Sequence, residues 1–275
     1  MSERAVARHY GSAGITERVL DALRASAGAG AMVTPETLAP FDHFHGRGVA
    51  ATREMMAHLA PQPGERLLDI GSGIGGPARF VAARHDVGVT GVDLTEAYCA
   101  AAAELNAVTG LAGRVHVVVA SALALPLADA AFDAAYSQNV IMNIADKNRF
   151  YHEAFRTLRP GGRLALSNLC AGPAGDPYFP APWAATADLS FLETPQSMRA
   201  GIEAAGFEIV DLRDITASIV DAYRTLADRP APTATAPRVA VEVLMGARAA
   251  QMQRNSMRTL SDGRGLAVEA LARRP

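Results

Sequence analysis

The residues best suited to chemistry lie between positions 66 and 95. Asp69 follows two leucines, Gly-Ser-Gly-Ile-Gly-Gly occupies 71–76, and Asp93 ends the next apolar segment. Glycine lets the backbone approach a ligand where a side chain would collide with it. A carboxylate at the tip of the following strand, about 20 residues on, is placed to accept hydrogen bonds from a ribose. The spacing therefore predicts a strand, glycine turn, helix and strand that bind an adenosine-containing small molecule.

The same residues help to choose between two kinds of ligand. Dinucleotide-binding proteins hold a pyrophosphate on the helix that follows Gly-x-Gly-x-x-Gly, and Gly71, Gly73 and Gly76 also have that spacing, so the glycines alone leave both kinds of ligand open. Asp69, two residues before the first glycine, would repel a pyrophosphate but suits an ammonium group. S-adenosylmethionine carries an ammonium and a sulfonium and no phosphate. The pattern favours a methyltransferase, and an NAD-type dehydrogenase stays open as the alternative.

Composition narrows the function classes. The 275 residues are 49% hydrophobic and 20% charged, with a net charge of −2, which is typical of a globular chain and gives no basic surface for nucleic acid or an anionic membrane. No window approaches about 18 uninterrupted apolar residues, and the first residues lack the apolar core of a secretion signal. Two cysteines are too few for a disulfide framework or a metal site. We expect a cytoplasmic protein without a metal, acting on a small molecule and possible as a homodimer.

The element pattern predicts an α/β fold. Apolar strands alternate with helices, which implies a doubly wound sheet with ligands at the carboxyl ends of the strands. The predicted strands are 66–70, 88–92, 115–119, 132–137 and 162–168, with helices at 75–84, 95–109 and 146–158. Before them come a helix from 1 to about 30, a short helix beginning at Thr34 and a helix over 46–60. We expect the first of these helices to dock at the carboxyl edge of the sheet.

The second half of the chain is less regular. We predict a loop or cap at 170–183, a helix beginning at Thr194, a strand at 207–212, a proline-rich stretch at 228–237, an amphipathic helix at 239–260 and a shorter helix at the end. Three units follow from this. They are an N-terminal helical lid (1–60), a core with a cap insertion at about 170–200 (61–215) and a C-terminal helical extension (216–275).

Four segments together resemble class I S-adenosylmethionine-dependent methyltransferases, over roughly residues 40–215. They are 67–76, 92–94, 120–133 and the Leu-Arg-Pro-Gly-Gly-Arg at 158–163. The segments at 44–52 and 178–184 are similar to the group that methylates small molecules, which includes sarcosine/dimethylglycine and phosphoethanolamine N-methyltransferases and quinone C-methyltransferases. The resemblance implies a Rossmann-like, mostly parallel seven-stranded sheet with a helical lid and cap. It also implies S-adenosylmethionine as cofactor.

The resemblance also implies roles for individual residues. The cofactor residues would be Asp69, Gly71, Ser72, Gly73, Asp93, Leu94, Ser121, Ala122 and Gln138. Ser121 stands where the family often has an aspartate that accepts from the adenine amino group. Phosphoethanolamine enzymes pair an N-terminal tyrosine with a histidine after the fourth strand. Here Tyr10 matches the tyrosine, but Asn143 replaces the histidine and cannot take a proton near neutral pH.

The remaining candidates carry open alternatives. Tyr10, His45 and Asn139 are candidates for catalysis, although Tyr10 could equally anchor the N-terminal helix and His45 could serve only structural hydrogen bonding. Asn143, Phe179 and Trp183 are candidates for the acceptor pocket. Nitrogen or oxygen is the favoured methyl acceptor. C-methylation of a natural-product or isoprenoid/quinone scaffold and a non-catalytic cofactor-binding protein remain alternatives.

Overall fold

The structure is a computed structural model that describes Glu3, Tyr10, residues 14–227 and residues 240–275. The first half of the helix predicted over 1–30 lies mostly outside the described residues. The proline-rich stretch predicted at 228–237 lies wholly outside them.

Seven strands form one sheet in the order β3-β2-β1-β4-β5-β7-β6. The strands are β1 (Arg66–Ile70), β2 (Gly88–Asp93), β3 (Val115–Val119), β4 (Phe132–Gln138), β5 (Leu158–Ala171), β6 (Glu208–Asp214) and β7 (Gly265–Arg273). The pairs β1–β2, β1–β4, β2–β3 and β4–β5 are parallel, and β7 runs antiparallel to both of its neighbours. The predicted doubly wound, mostly parallel seven-stranded sheet is confirmed.

Ten α-helices are described. They are α1 (Ile15–Ala27), α2 (Pro35–Asp42), α3 (Val49–Leu59), α4 (Gly76–His85), α5 (Glu96–Val108), α6 (Lys147–Thr157), α7 (Pro195–Ala204), α8 (Thr216–Ala227), α9 (Ala240–Met245) and α10 (Ala249–Ser261). Within the described parts of the chain, none is long and apolar enough to cross a membrane.

The central strands are almost continuously hydrophobic because helices cover both faces of the sheet. On one face, Leu67 packs with Met56 of α3 and Val81 of α4. On the other face, Leu68 packs with Phe150 of α6 and Met198 of α7. A parallel strand with helices on both sides has no solvent-facing side, so both alternate positions are apolar. The helices hold the sheet from both faces. Its carboxyl edge is not covered in this way and can have polar residues.

The prediction of a helix at the end of the chain is wrong, because residues 265–273 form β7. This strand pairs with β5 from Arg163 opposite Arg273 to Ala171 opposite Gly265, and with β6 on its other side. The C-terminal unit at 216–275 is therefore not wholly helical, since it completes the central sheet. The predicted helix at 239–260 is also interrupted, because Gly246 takes a positive φ of 57° between α9 and α10.

Helix α1 packs against α2 and α5 through Ile15, Val19 and Leu23. Its apolar cluster includes Ile74 and Tyr98, which line the cavity described below. No residue of α1 lines that cavity, whereas Tyr10, which precedes the helix, does. Helix α1 therefore supports the wall of the site through Ile74 and Tyr98, and the predicted role of the N-terminal segment as a lid stays a prediction.

Candidate active site

A cavity of about 830 Å³ opens at the carboxyl edge of the sheet. Residues at the ends of β1, β2, β4, β5 and β7 line it, together with segments before α3 and residues of α8 and α10. Small-molecule sites typically measure roughly 300–1,000 Å³. The cavity is therefore large enough for a small molecule, and it lies where ligands bind in doubly wound folds.

The glycine turn after β1 has a shape that requires glycine. Gly71 has a φ of +84°, and a Cβ added there would lie 2.3 Å from Cγ2 of Val140. Gly73 has a φ of +55°, with only Tyr98, at 4.0 Å, near the place a Cβ would take. Backbone conformations in this region are strained for residues with a side chain. The turn therefore brings bare backbone to the cavity wall, as the sequence predicts.

Asp93 at the end of β2 fixes this turn. Its Oδ2 accepts a hydrogen bond from the Gly73 N–H at 2.9 Å, and its Oδ1 accepts from the Thr95 N–H at 2.8 Å. Burial raises the pKa of Asp93, and these backbone bonds partly offset the rise. A carboxylate offers about four lone-pair sites, and this one lines the cavity. Asp93 can thus hold the turn and accept hydrogen bonds from a ligand at once.

Asp69 in β1 is a buried carboxyl group with spare hydrogen-bonding capacity. The residue is 2% exposed, and its Oδ2 has no hydrogen-bond partner among the described residues. Burial raises the pKa of Asp69 from 3.8 to about 8; the nearby Tyr136 hydroxyl counteracts this rise and repulsion from Asp93 adds to it. A buried acidic oxygen without a partner costs stability unless a ligand supplies a donor or a positive charge. The residues present therefore fit an ammonium group.

Eight of the nine predicted cofactor residues line the cavity: Asp69, Gly71, Ser72, Gly73, Asp93, Leu94, Ala122 and Gln138. Ser121 does not. Its hydroxyl donates to the Glu3 carboxylate and accepts from the Leu123 N–H at 3.0 Å, so it holds two residues of the cavity wall together. Glu3, which does line the cavity, was missed by the sequence analysis because nothing local links two residues so far apart.

His45 belongs to a chain of hydrogen bonds between the segment before α3 and the end of β4. Its Nε2 lies 3.2 Å from the Thr52 hydroxyl, which donates to Gln138 Oε1 at 3.1 Å. Burial, together with the neighbouring His43, lowers the pKa of His45 to about 3. The imidazole is therefore neutral at physiological pH and is held in place by Thr52. It can form hydrogen bonds in the cavity but is a weak base.

The segment before His45 is held by a separate buried network. His43 Nδ1 lies 2.8 Å from Asp42 Oδ1, and Asp42 Oδ2 accepts from Arg79 at 2.8 Å. Burial alone would raise the pKa of Asp42, but the His43 hydrogen bond and the Arg79 charge lower it overall. Among the described residues, no cluster of three side chains is arranged to hold a metal ion.

Tyr10 and Asn143 connect three segments at the cavity, which we call the roof: the segment before α1, the turn after β4 and the loop that contains Trp183 and Leu189. The Tyr10 hydroxyl donates to Asn143 Oδ1 at 3.0 Å, and Asn143 Nδ2 donates to the backbone oxygens of Trp183 at 2.6 Å and Leu189 at 3.2 Å. Burial raises the pKa of Tyr10, with a further contribution from Asp93. Tyr10 also lines the cavity, so both of its predicted roles, anchor of the N-terminal helix and active-site residue, stay predictions.

Of the other three predicted residues, two line the cavity and one does not. Asn139 and Trp183 line the cavity, and Asn139 takes a φ of +56° directly after β4. Phe179 does not line it, because its ring packs behind the roof in the cluster that contains Trp183 and Leu260. The prediction of Phe179 as a pocket residue is corrected accordingly. Ser167 and Glu269 line the cavity and were not predicted.

Comparison with known proteins agrees with this geometry. A family model described as a methyltransferase domain matches residues 68–166. An O-methyltransferase of Aspergillus nomiae is 31% identical over 169 residues, covering 60% of this chain and 73% of the relative. The chain belongs to the methyltransferase domain family. The matched segment carries the glycine turn, Asp69, Asp93 and Gln138, which are the residues that build the cavity floor.

Other relatives of this methyltransferase domain act on different atoms according to their names. Phosphoethanolamine N-methyltransferase 1 of Arabidopsis thaliana is 34% identical over 126 residues, covering 46% of this chain and 25% of the relative. A geranyl diphosphate C-methyltransferase from Streptomyces coelicolor superposes with a TM-score of 0.71 at 19% identity, covering 99% and 97% of the two chains. The chain spans 62% of the length of three further fungal O-methyltransferases.

Proposed function

We propose that the protein transfers a methyl group from S-adenosylmethionine to a small organic acceptor, with nitrogen or oxygen as the favoured nucleophile. The observation that carries the proposal is the buried Asp69 carboxyl group, whose Oδ2 has no partner among the described residues, beside the glycine turn and Asp93. Asp69 lines the cavity, so an ammonium bound beside it would favour the charged form of the carboxyl group, whereas a pyrophosphate would be repelled by it. Membership of the methyltransferase domain family supports the same assignment.

The cofactor-binding residues along the carboxyl edge would each contact a different part of S-adenosylmethionine. Asp69 would bind the ammonium group and Asp93 the ribose hydroxyls, with Leu94 and Ala122 against the adenosine and Gln138 near the methionine part. When bound, S-adenosylmethionine supplies a methyl carbon made electrophilic by the adjacent sulfonium. The protein then has to hold the acceptor about 3 Å from the methyl carbon and exclude water.

His45, Asn139 and Tyr10 would orient the acceptor or the wall around it. His45 is neutral because its pKa is lowered to about 3. Its one N–H is used at Nε2, where it donates to the Thr52 hydroxyl, whose own hydrogen goes to Gln138. It is therefore little suited to donate to the acceptor or to remove a proton. Asn143 lines the cavity as predicted; its Nδ2 donates both hydrogens within the roof, and its Oδ1, which accepts from Tyr10, keeps a further lone pair. An acceptor that arrives deprotonated requires no general base. These roles make the site a positioning device.

Two other functions compete with this proposal. C-methylation of an isoprenoid or natural-product scaffold is supported by the apolar residues Met142, Leu169 and Trp183, which line the cavity. A non-catalytic cofactor-binding protein would keep Asp69 and Asp93 but transfer nothing. The homodimer and the cytoplasmic location stay predictions from the sequence.

The test is product analysis by mass spectrometry. The full chain is incubated with S-adenosylmethionine and a panel of small amines, phenols, thiols and isoprenoids. We expect acceptor-dependent formation of S-adenosylhomocysteine together with a product heavier by one methyl group. Cofactor binding without transfer to any acceptor class would contradict the enzymatic proposal in favour of the non-catalytic one. Transfer of the methyl group to carbon acceptors alone would contradict nitrogen or oxygen as the favoured nucleophile and would support C-methylation.

A further inference from the structure

Three polar side chains form a row across the carboxyl edge of the sheet, on β4, β5 and β7. Gln138 is in register with Ser167, and Ser167 is in register with Glu269. Residues in register on neighbouring strands share one face, and all three line the cavity. We call Gln138, Ser167 and Glu269 the polar row.

Glu269 is the charged member of the polar row and is 8% exposed. Its Oε2 accepts a hydrogen bond from Arg213 at 2.9 Å, on the side away from the cavity. Within the described part of the chain, no group donates to its Oε1. A largely buried carboxylate is stabilised by each donor it gains. Arg213 supplies one, and a second would have to come from a molecule in the cavity.

The position of Glu269 separates it from the cofactor residues. In the strand order, β7 lies three strands from β1, which carries Asp69. Neighbouring strands are about 4.8 Å apart, so the two carboxylates stand on strands separated by about 14 Å. A cofactor ammonium bound at Asp69 therefore cannot reach Glu269. Glu269 faces the other half of the cavity, whose lining is mainly apolar: Met142, Leu169, Trp183, Ile219 and Leu260.

We propose that Glu269, with Ser167 beside it, is a recognition site for a hydrogen-bond donor on the acceptor molecule. The donor is a hydroxyl or an ammonium group on an otherwise apolar acceptor, and it is separate from the atom that is methylated. This inference rests on the proposed function, because it assigns the far half of the cavity to the acceptor. It narrows the substrate class to apolar molecules with a donor group at one end.

The experiment compares three probes of nearly the same shape: phenethylamine, phenethyl alcohol and phenethyl methyl ether. Each is titrated by NMR into the full chain saturated with S-adenosylhomocysteine. A hydrogen bond to a charged group corresponds to about tenfold or more in affinity. We expect the amine and the alcohol to bind about tenfold more tightly than the ether. Glu269→Gln should remove most of the amine's advantage, reduce that of the alcohol less and leave the ether unchanged.

The control variant is Asp211→Asn. Asp211 Oδ2 lies 3.5 Å from Nε of the same Arg213, but Asp211 does not line the cavity. Its substitution should therefore leave all three affinities unchanged. Equal binding of the three probes, no binding of any of them at millimolar concentration, or an unchanged preference in Glu269→Gln would overturn the inference. Failure of S-adenosylhomocysteine to bind would instead count against the proposed function, and the titrations would then be repeated without it to test Glu269 separately.

Discussion

Asp69→Asn should weaken the binding of S-adenosylhomocysteine at pH 8 by roughly 30-fold or more. Removing one partner of a buried, hydrogen-bonded charge pair costs about 2–5 kcal/mol, and each 1.4 kcal/mol is a factor of ten. The amide has nearly the shape of the carboxyl group, so the cavity is retained while the negative charge is lost. Isothermal titration calorimetry measures the difference directly.

The same substitution should change the pH dependence of binding. The carboxyl group of the ligand-free protein has a pKa of about 8, and a bound ammonium favours its charged form and lowers that pKa. Affinity of the natural protein should therefore rise as the pH approaches about 8, and it should fall again at higher pH, where the ammonium group of the ligand loses its proton. Asp69→Asn should lack this rise. Equal affinities for the two proteins between pH 6 and pH 9 would show that the ammonium binds elsewhere.

Asp69→Asn should weaken cofactor binding but should not lower the stability of the cofactor-free protein. Because the pKa of Asp69 is raised from 3.8 to about 8 in the folded protein, its contribution to stability is present at low pH and is lost as the pH rises through about 8. Without cofactor at pH 8, the variant should melt at the same temperature as the natural protein or higher. Asp129→Asn, an exposed carboxylate bound to Arg156, is the control and should change neither quantity.

Asp93→Ala should weaken cofactor binding at least tenfold and lower the melting temperature as well. Hydrogen bonds to a charged group contribute about 1.5–3 kcal/mol each, and a buried N–H left without a partner costs about 1–3 kcal/mol. The variant leaves the Gly73 and Thr95 N–H groups without their acceptor. The substitution therefore affects both the turn and the ligand, and calorimetry with thermal unfolding separates the two effects.

Asp93→Asn provides the matched comparison. Its amide oxygen can still accept from one of the two backbone N–H groups, so its loss of stability should be smaller than that of Asp93→Ala. Its cofactor affinity should still fall, because the charge is gone. If the alanine variant kept full affinity for S-adenosylhomocysteine, the ribose would have to bind away from β2.

The glycine turn and both aspartates could be predicted because their positions follow from local sequence. A strand, a turn and a helix bring Asp69, Gly71 and Asp93 together within one βαβ unit, with no contribution from distant segments. The φ of +84° at Gly71 and the 2.3 Å approach to Val140 show why that position needs glycine. Here the local pattern and the tertiary structure agree.

Strand β7 could not be predicted for the opposite reason. Its sequence, Leu-Ala-Val-Glu-Ala-Leu-Ala-Arg at 266–273, consists mainly of residues that favour helices. It becomes a strand because β5 and β6 both offer it a hydrogen-bonding partner. Tertiary pairing overrides propensity in such cases. Glu269, on this strand, was missed as a site residue as a consequence.

Two further site residues depend on contacts distant in sequence. The Ser121 hydroxyl is engaged by Glu3, and Asn143 is engaged by Tyr10 and by the loop of Trp183 and Leu189. Residue type alone shows what such groups can bond to. The folded chain decides which bonds are left for a ligand.

The most direct measurement of the central claim is a calorimetric titration of the full chain with S-adenosylmethionine, S-adenosylhomocysteine, NAD and NADP. We expect the first two to bind with micromolar affinity, because their ammonium and ribose groups match Asp69 and Asp93, and we expect no binding of the two dinucleotides. Binding of NAD without binding of S-adenosylmethionine would contradict the account.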